Sequence, residues 1–149
     1  MKFEDYSEEI FEDCLKLFDK NCPSFFAENE REDYSNYLLN LADTYKVLIS
    51  KEKVVAASGI SELKSSNRSR ITWIMVCPNE KGKGVGTKLM LYVKQYAHEI
   101  ESVGIDIAAS HLSACFFKKF GAIETSFIKD GWGNDMHRID MEINFWKPS

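Results

Sequence analysis

The sequence predicts an α/β domain (α+β by some schemes), and three observations carry that reading. Apolar runs of strand length alternate with longer stretches in which apolar residues recur at helical spacing. A strand, a helix, a strand and a second helix follow one another between Arg70 and Gly121. Two further pairs of strand-like segments, one on either side of that unit, are separated by turn-forming residues. At 149 residues and 44% hydrophobic, the chain has the size of one domain, 1–149, able to bury a core without disulfides or metal.

Taken in order, Asp5-x-x-Glu8 reads as a capping box for a helix through about Phe18, with Ile10, Phe11, Cys14, Leu15 and Phe18 inward. Pro23 breaks the chain, and a second helix is expected from Arg31 to Ala42, where Tyr34, Leu38 and Leu41 share a face. Strands follow at Tyr45 to Ser50 and Val54 to Leu63 around the tight turn Lys51-Glu52-Lys53. After a polar loop, Arg70 to Val76 is a mostly buried strand ended by Cys77-Pro78. From Gly84 to about Glu101, Val85, Leu89, Tyr92, Val93, Tyr96, Ala97 and Ile100 form one apolar stripe. Val103 to Ala109 reads as a buried strand and Ala114 to Phe120 as a short helix, with Gly121 as its C-cap. Glu124 to Lys129 and Met136 to Phe145 close the chain as a hairpin with a long tip, Asp130 to Asp135.

The most informative segment is Lys81-Gly82-Lys83-Gly84-Val85-Gly86-Thr87, between the Arg70 strand and the long helix. A helix opens with unpaired N–H groups and the positive end of its dipole, and glycines remove the Cβ atoms that would hold a phosphate away. Lys81, Lys83 and Lys88 add positive charge. The segment is neither a Walker A loop nor a dinucleotide fingerprint, because five places after Gly82 stands Thr87, and three places after Gly86 stands Leu89. The alternative, a glycine-softened turn that binds nothing, fits the flanking elements less well.

Composition narrows the function classes. Residues 1 to 43 carry four Lys/Arg against twelve Asp/Glu, a net of −8, in a chain of formal net charge −4, so the remainder carries +4. An acidic chain argues against a nucleic-acid partner, and the acidic segment suits a cationic amine better. Cys14, Cys22, Cys77 and Cys115 are scattered without metal or redox spacing, which points to a reduced, cytoplasmic setting and no metal cofactor. No stretch approaches the ~20 apolar residues needed to cross a bilayer, and Met1 to Asp5 do not begin a signal peptide, so secretion and a membrane partner are disfavoured.

The pattern Arg/Gln-x-x-Gly-x-Gly/Ala after a strand ending in Val-x-Pro resembles the acyl-CoA site of the GNAT superfamily of N-acetyltransferases. The match runs from Val76 to Leu89, with Lys81 at the Arg/Gln position, and the order of elements resembles that fold over nearly the whole chain. The resemblance implies a GNAT-like mixed, mostly antiparallel central sheet flanked by helices, with a strand ahead of the first helix and a splayed cofactor cleft between the fourth and fifth strands. It implies acetyl-CoA as co-substrate, with the pantetheine arm on the backbone of Ile74, Met75 and Val76 and the pyrophosphate on Lys81, Gly82, Lys83, Gly84, Val85, Gly86 and Thr87. The acceptor would be the amine of a small molecule or a protein, with transfer direct and no cysteine-bound intermediate, and such proteins often form homodimers.

The family's last motif, laid over Ser110 to Ala122 on Gly121, puts Ser110 at its Asn position and Phe117 at the tyrosine that protonates the departing thiolate. Phenylalanine has no proton to give. A positioned acid contributes typically 10²- to 10⁴-fold, yet a thiol of pKa near 8.5 leaves readily as thiolate, so its loss should slow transfer rather than abolish it. The attacking amine, of pKa near 10.4, must lose a proton first. Where some relatives carry a carboxylate on the fifth strand this chain has Ile105, and Asp106 faces the other way by strand alternation. Glu62, late in the third strand, and His111, beside the thioester region, are then the candidate catalytic residues. Trp132, between two glycines, is a candidate wall of the acceptor pocket. A non-catalytic acyl-CoA-binding or regulatory domain, or a transferase for another acyl group, is the alternative that Phe117 leaves open.

Overall fold

A computed structural model describes residues 1–22 and 25–145. In chain order the elements are β1 (Lys2–Asp5), α1 (Phe11–Asn21), α2 (Arg31–Asn40), β2 (Lys46–Ser50), β3 (Lys53–Leu63), β4 (Arg68–Val76), α3 (Val85–Glu99), β5 (Gly104–Ser110), α4 (Ala114–Lys118), β6 (Ile123–Gly133) and β7 (Met136–Asn144). The strands form one seven-stranded sheet in the order β1-β2-β3-β4-β5-β7-β6. Every pairing is antiparallel except β4 with β5, the crossover spanned by α3. One core forms where α1 and α2 pack on β2, β3 and β4, and a second where α3 and α4 pack on β5 and β7.

Most elements fall within a residue or two of their expected positions, and the exceptions have physical causes. Asp5 caps nothing: Lys2–Asp5 pair with Lys46–Ile49, and α1 starts only at Phe11, after a short 3-10 turn. Edge pairing with β2 outcompeted a lone capping carboxylate. Leu41, placed on the inner face of the second helix, is 67% exposed because α2 ends at Asn40, and Tyr37 fills that face instead. The hairpin tip is shorter than expected, since β6 continues through an irregular stretch to Gly133. Lys51 and Glu52 both have positive φ, as a two-residue hairpin between right-twisted strands requires.

The sheet is pinned at one point and parted at the next. β4 and β5 pair only at Ser69–Ile105 and Arg70–Asp106 among the described residues. Arg68 Nε donates to Asp106 Oδ1 at 2.7 Å, and its Nη1 reaches Asn144 Oδ1 at 2.9 Å, so this end of β4 is tied to both β5 and β7. Beyond it, the register of β4 on β3 slips: Ala57 faces Met75 and Gly59 faces Thr72, which leaves Ser58 opposite both Trp73 and Ile74. Two residues against one is a β-bulge, and it bends the strand. Trp73 takes φ +47°, a left-handed conformation costing an ordinary residue about 1–2 kcal/mol. Its surroundings hold it there. Tyr45 Oη donates to the Trp73 carbonyl at 2.7 Å, Tyr37 Oη and Thr72 Oγ1 are 2.8 Å apart, and the rings of Tyr34, Phe26, Tyr37 and Phe18 stand 5.1, 6.0, 6.4 and 6.5 Å from the indole.

Gly59 makes room for this arrangement, because a Cβ there would lie 2.5 Å from both Thr72 Oγ1 and Tyr37 Oη and 3.0 Å from the Tyr45 ring. Gly59→Ala is expected to lower unfolding free energy by about 1–3 kcal/mol, the usual cost of overpacking, as read by urea denaturation. A variant as stable as the parent would show that the bulge does not depend on this close approach.

Candidate active site

Where β4 and β5 part, a cavity of about 620 Å³ opens. Its walls are the facing segments Thr72 to Val76 and Ile107 to Ser110, the first turn of α3, the aromatic face of α4, and the chain around α1 and α2. The unpaired edge of β4 offers backbone N–H and C=O groups to whatever enters, since a sheet edge without a neighbour has both to spare.

At one end of the cavity sit the glycines. Gly84 is the residue before α3, and Gly82 and Gly84 have φ of +82° and +79°, which a glycine adopts without strain. Nothing lies within 4 Å of a Cβ built on either, so both backbones are open to a ligand. Gly86 differs: its Cβ would meet the Phe116 ring at 2.7 Å. That glycine lets α3 and α4 approach closely, and it also belongs to the cavity wall. Val85, Gly86 and Thr87 are in the wall, whereas Lys83 is not and pairs with Glu80 at 3.5 Å. Lys81 lines the cavity, its Nζ 3.1 Å from the centroid of the Phe25 ring, and loss of water around the ammonium lowers its pKa.

Ile74, Met75, Val76, Ser110 and Phe117 all line the same cavity. Ser110 Oγ accepts from the Leu112 N–H at 3.3 Å and thereby shapes the turn into α4. Phe117 is buried with its ring edge-on to Phe116, at 5.1 Å and 76°. Trp132 is in the wall too, donating from Nε1 to the Ala109 carbonyl at 2.9 Å, with the Arg138 guanidinium 5.1 Å from its ring. Burial alone would raise the Asp140 carboxyl, but hydrogen bonds from Arg138 and Ser126 and the charges of Arg138 and Arg70 bring it below its ordinary value. Asp106 is spoken for by Arg68.

The two candidate catalytic residues are not brought together. Glu62 is exposed on β3, opposite Ser69, and His111 lies just past β5, its Nδ1 accepting from the His137 N–H at 3.1 Å. Neither belongs to the cavity wall, and none of the four cysteines does. A carboxylate that the sequence did not single out does belong to it. Glu30, the last residue of the 3-10 turn before α2, is 6% exposed, accepts from the Ala27 N–H at 2.8 Å, and pairs with no cation among the described residues. Burial pushes its pKa up to about 7, against the partial opposition of the Ala27 bond and with some help from Asp33. The available signal was Ala27-x-x-Glu30, half of a capping box whose N-cap lacks a side-chain oxygen.

Comparison with known proteins agrees with this geometry. The model of the acetyltransferase (GNAT) family matches residues 11–122. No curated protein matches the sequence. Among solved structures, an aminoglycoside 6'-N-acetyltransferase complexed with coenzyme A superposes with TM-score 0.79 at 11% identity, covering 100% of both chains. Ard1 from Thermoplasma volcanium gives 0.80 at 15%, covering 98% of each, and a ribosomal-protein-alanine N-acetyltransferase from Brucella melitensis gives 0.76 at 14%, covering 97% of this chain and 100% of that one. At such identities the likeness establishes the fold.

Because the fold favours the neutral form of Glu30, the stability this residue contributes is present in full below the ordinary carboxylate value of 4.5 and is lost as pH rises through about 7. Glu30→Gln is therefore expected to match the parent in thermal denaturation near pH 4 and to exceed it near pH 8. Equal melting temperatures for the two proteins at both pH values would contradict the raised pKa.

Proposed function

The chain belongs to the GNAT acetyltransferase family, so it is an N-acetyltransferase that moves an acetyl group from acetyl-CoA to an amine, and from that premise we propose which residues do what. The cavity fits the co-substrate. Gly82 and Gly84 leave open backbone at the head of α3, and the amides from Val85 to Thr87 there suit a pyrophosphate. The free edge of β4 at Ile74, Met75 and Val76 suits the amide groups of the pantetheine arm, and all three residues line the cavity. Lys81 stands beside the phosphate end as a point charge, steadied by Phe25. When bound, acetyl-CoA supplies an activated acyl group on a good leaving thiolate. Ser110 and Phe117 close the far wall, Phe117 excluding water without offering a proton. The single observation that carries this reading is the joining of a glycine-opened helix terminus and an unpaired strand edge in one cavity.

The acceptor is an amine of a small molecule or a protein and enters from the side of α1, α2 and the β6–β7 tip, where Phe26, Glu30, Trp73 and Trp132 line the cavity. The structural neighbours named for an aminoglycoside and for a ribosomal-protein alanine bracket that range. The reading includes a cytoplasmic protein, supported by four free cysteines, and no helix among the described residues is long and apolar enough to cross a membrane. It also includes a homodimer formed through β6, an edge strand exposing Ile123, Phe127 and Ile128 at 57, 59 and 45%.

Two experiments check these assignments. Ala at both Gly82 and Gly84 is expected to weaken acetyl-CoA binding in calorimetry by about 10-fold or more, since a single charge-assisted hydrogen bond is worth roughly 1.5–3 kcal/mol. Affinity equal to the parent's would sink the cradle assignment. Phe127→Lys is expected to convert a dimer to a monomer in light scattering; a parent that is monomeric at high concentration would remove the dimer from the reading.

A further inference from the structure

Resting on the acetyltransferase reading, we infer that Glu30 is the general base of this enzyme, taking the proton from the acceptor's ammonium group inside the cavity. Its position comes from the fold. The 3-10 turn Glu28–Glu30 delivers the residue into the wall shared with Phe26, Trp73 and Trp132. Across the chain the same loop is braced by the β6–β7 tip, where Asn29 Nδ2 donates to the Trp132 carbonyl at 3.2 Å. Glu30 is thus held between the two segments that frame the acceptor entrance.

The carboxyl is fixed and unspent. Its Oε2 accepts from the Ala27 N–H at 2.8 Å, and no ion pair uses the group among the described residues. The titratable groups coupled to it are Asp33 on α2, which raises it, and Cys22 after α1, whose thiol feels its charge, while Lys81, Arg70 and Arg138 share the cavity wall. Burial without a partner keeps its proton affinity near neutral, the range in which a general base is most effective. The step balances as follows. One ammonium N–H proton passes to Glu30; the freed nitrogen lone pair forms the C–N bond to the acetyl carbonyl carbon; the C–S bond breaks and its electron pair leaves with the thiolate, which takes the second N–H proton that the nitrogen loses as it becomes an amide. Glu30 then returns its proton to solvent.

The test uses the intact chain, acetyl-CoA, and a panel of spermidine, kanamycin and a peptide with a free N-terminal alanine. Glu30→Gln keeps a carbonyl oxygen for the Ala27 N–H, so acetyl-CoA affinity by calorimetry is expected to stay within about two-fold of the parent. At pH 7 its kcat is expected to fall about 10²- to 10⁴-fold. The parent's kcat should rise with pH and level off above neutrality, while the variant's should keep rising as the amine deprotonates unaided, closing the gap at high pH. Glu30→Asp should recover part of the rate. Independently of turnover, isotope-edited NMR of the Glu30 carboxyl carbon in the free parent should titrate near neutral pH, a readout that stands even if the variant folds poorly. Parental kcat and an unchanged profile in Glu30→Gln, or a carboxyl that titrates in the ordinary acidic range, overturns the assignment alone. Parent that binds acetyl-CoA yet releases no thiol with any amine overturns the transferase reading and this inference together.

Discussion

Everything at this site depends on two strands that are held together at one end and forced apart at the other. The Arg68–Asp106 pair, only partly exposed and extended to Asn144, fixes the parallel register of β4 on β5 at Ser69 and Arg70. Close packing explains why Gly104 sits beside it: any Cβ there would come within 2.5 Å of the guanidinium. Three residues later the bulge at Trp73 turns β4 away. Without the pin the strands would lose register, and without the bulge they would zip closed and satisfy one another's backbone groups, leaving no edge for a ligand.

A strained tryptophan in a strand persists only when its surroundings over-determine it, and here they do so with polar as well as aromatic contacts. The Tyr34 and Tyr45 hydroxyls are 2.9 Å apart, and Tyr45 donates its hydrogen bond to the Trp73 carbonyl, so a buried chain of hydroxyls ends on the very residue whose backbone is distorted. The same cluster draws in Phe18 from α1 and Tyr34 and Tyr37 from α2. The helices that secure the bulge therefore also deliver the turn carrying Glu30. The free edge of β4 and the cavity wall around Glu30 are built from one core, which couples their geometry without any separate device.

What the sequence made legible follows from which signals are local. The helical stripe of α3 and the glycines before it are periodicity and backbone chemistry within a dozen residues, and both were readable. Tyr37 and Leu41 exchanged roles because a helix face shifts when its end moves by two residues. The left-handed Trp73 was not legible, since β-branched and aromatic neighbours spell an uninterrupted strand and the slip depends on pairing with Ser58 across the sheet. Gly86 reads locally as part of a glycine motif, while its packing constraint, the Phe116 ring thirty residues away in the chain, has no local signal. Glu30 was hidden among the acidic residues of the first segment, because solvated and buried carboxylates are identical on paper and only packing distinguishes them.

Phe117, which has no proton to give, and Glu30, a buried carboxyl with no cation partner among the described residues, divide the chemical burden of the proposed transfer unevenly. A thiolate of pKa near 8.5 departs near neutral pH with little help, whereas an alkylammonium near 10.4 lies more than three units from free base at pH 7. Assistance is worth more at the nucleophile than at the leaving group. A low-polarity cavity supplies it twice over. Desolvation raises the affinity of a carboxylate for a proton and lowers that of an ammonium, so transfer between them exchanges two unfavourably buried charges for two neutral groups. On the proposed mechanism the apolar walls contributed by Phe26, Trp73 and Trp132 favour that transfer as well as packing, and the buried Phe117 ring adds to the apolar lining.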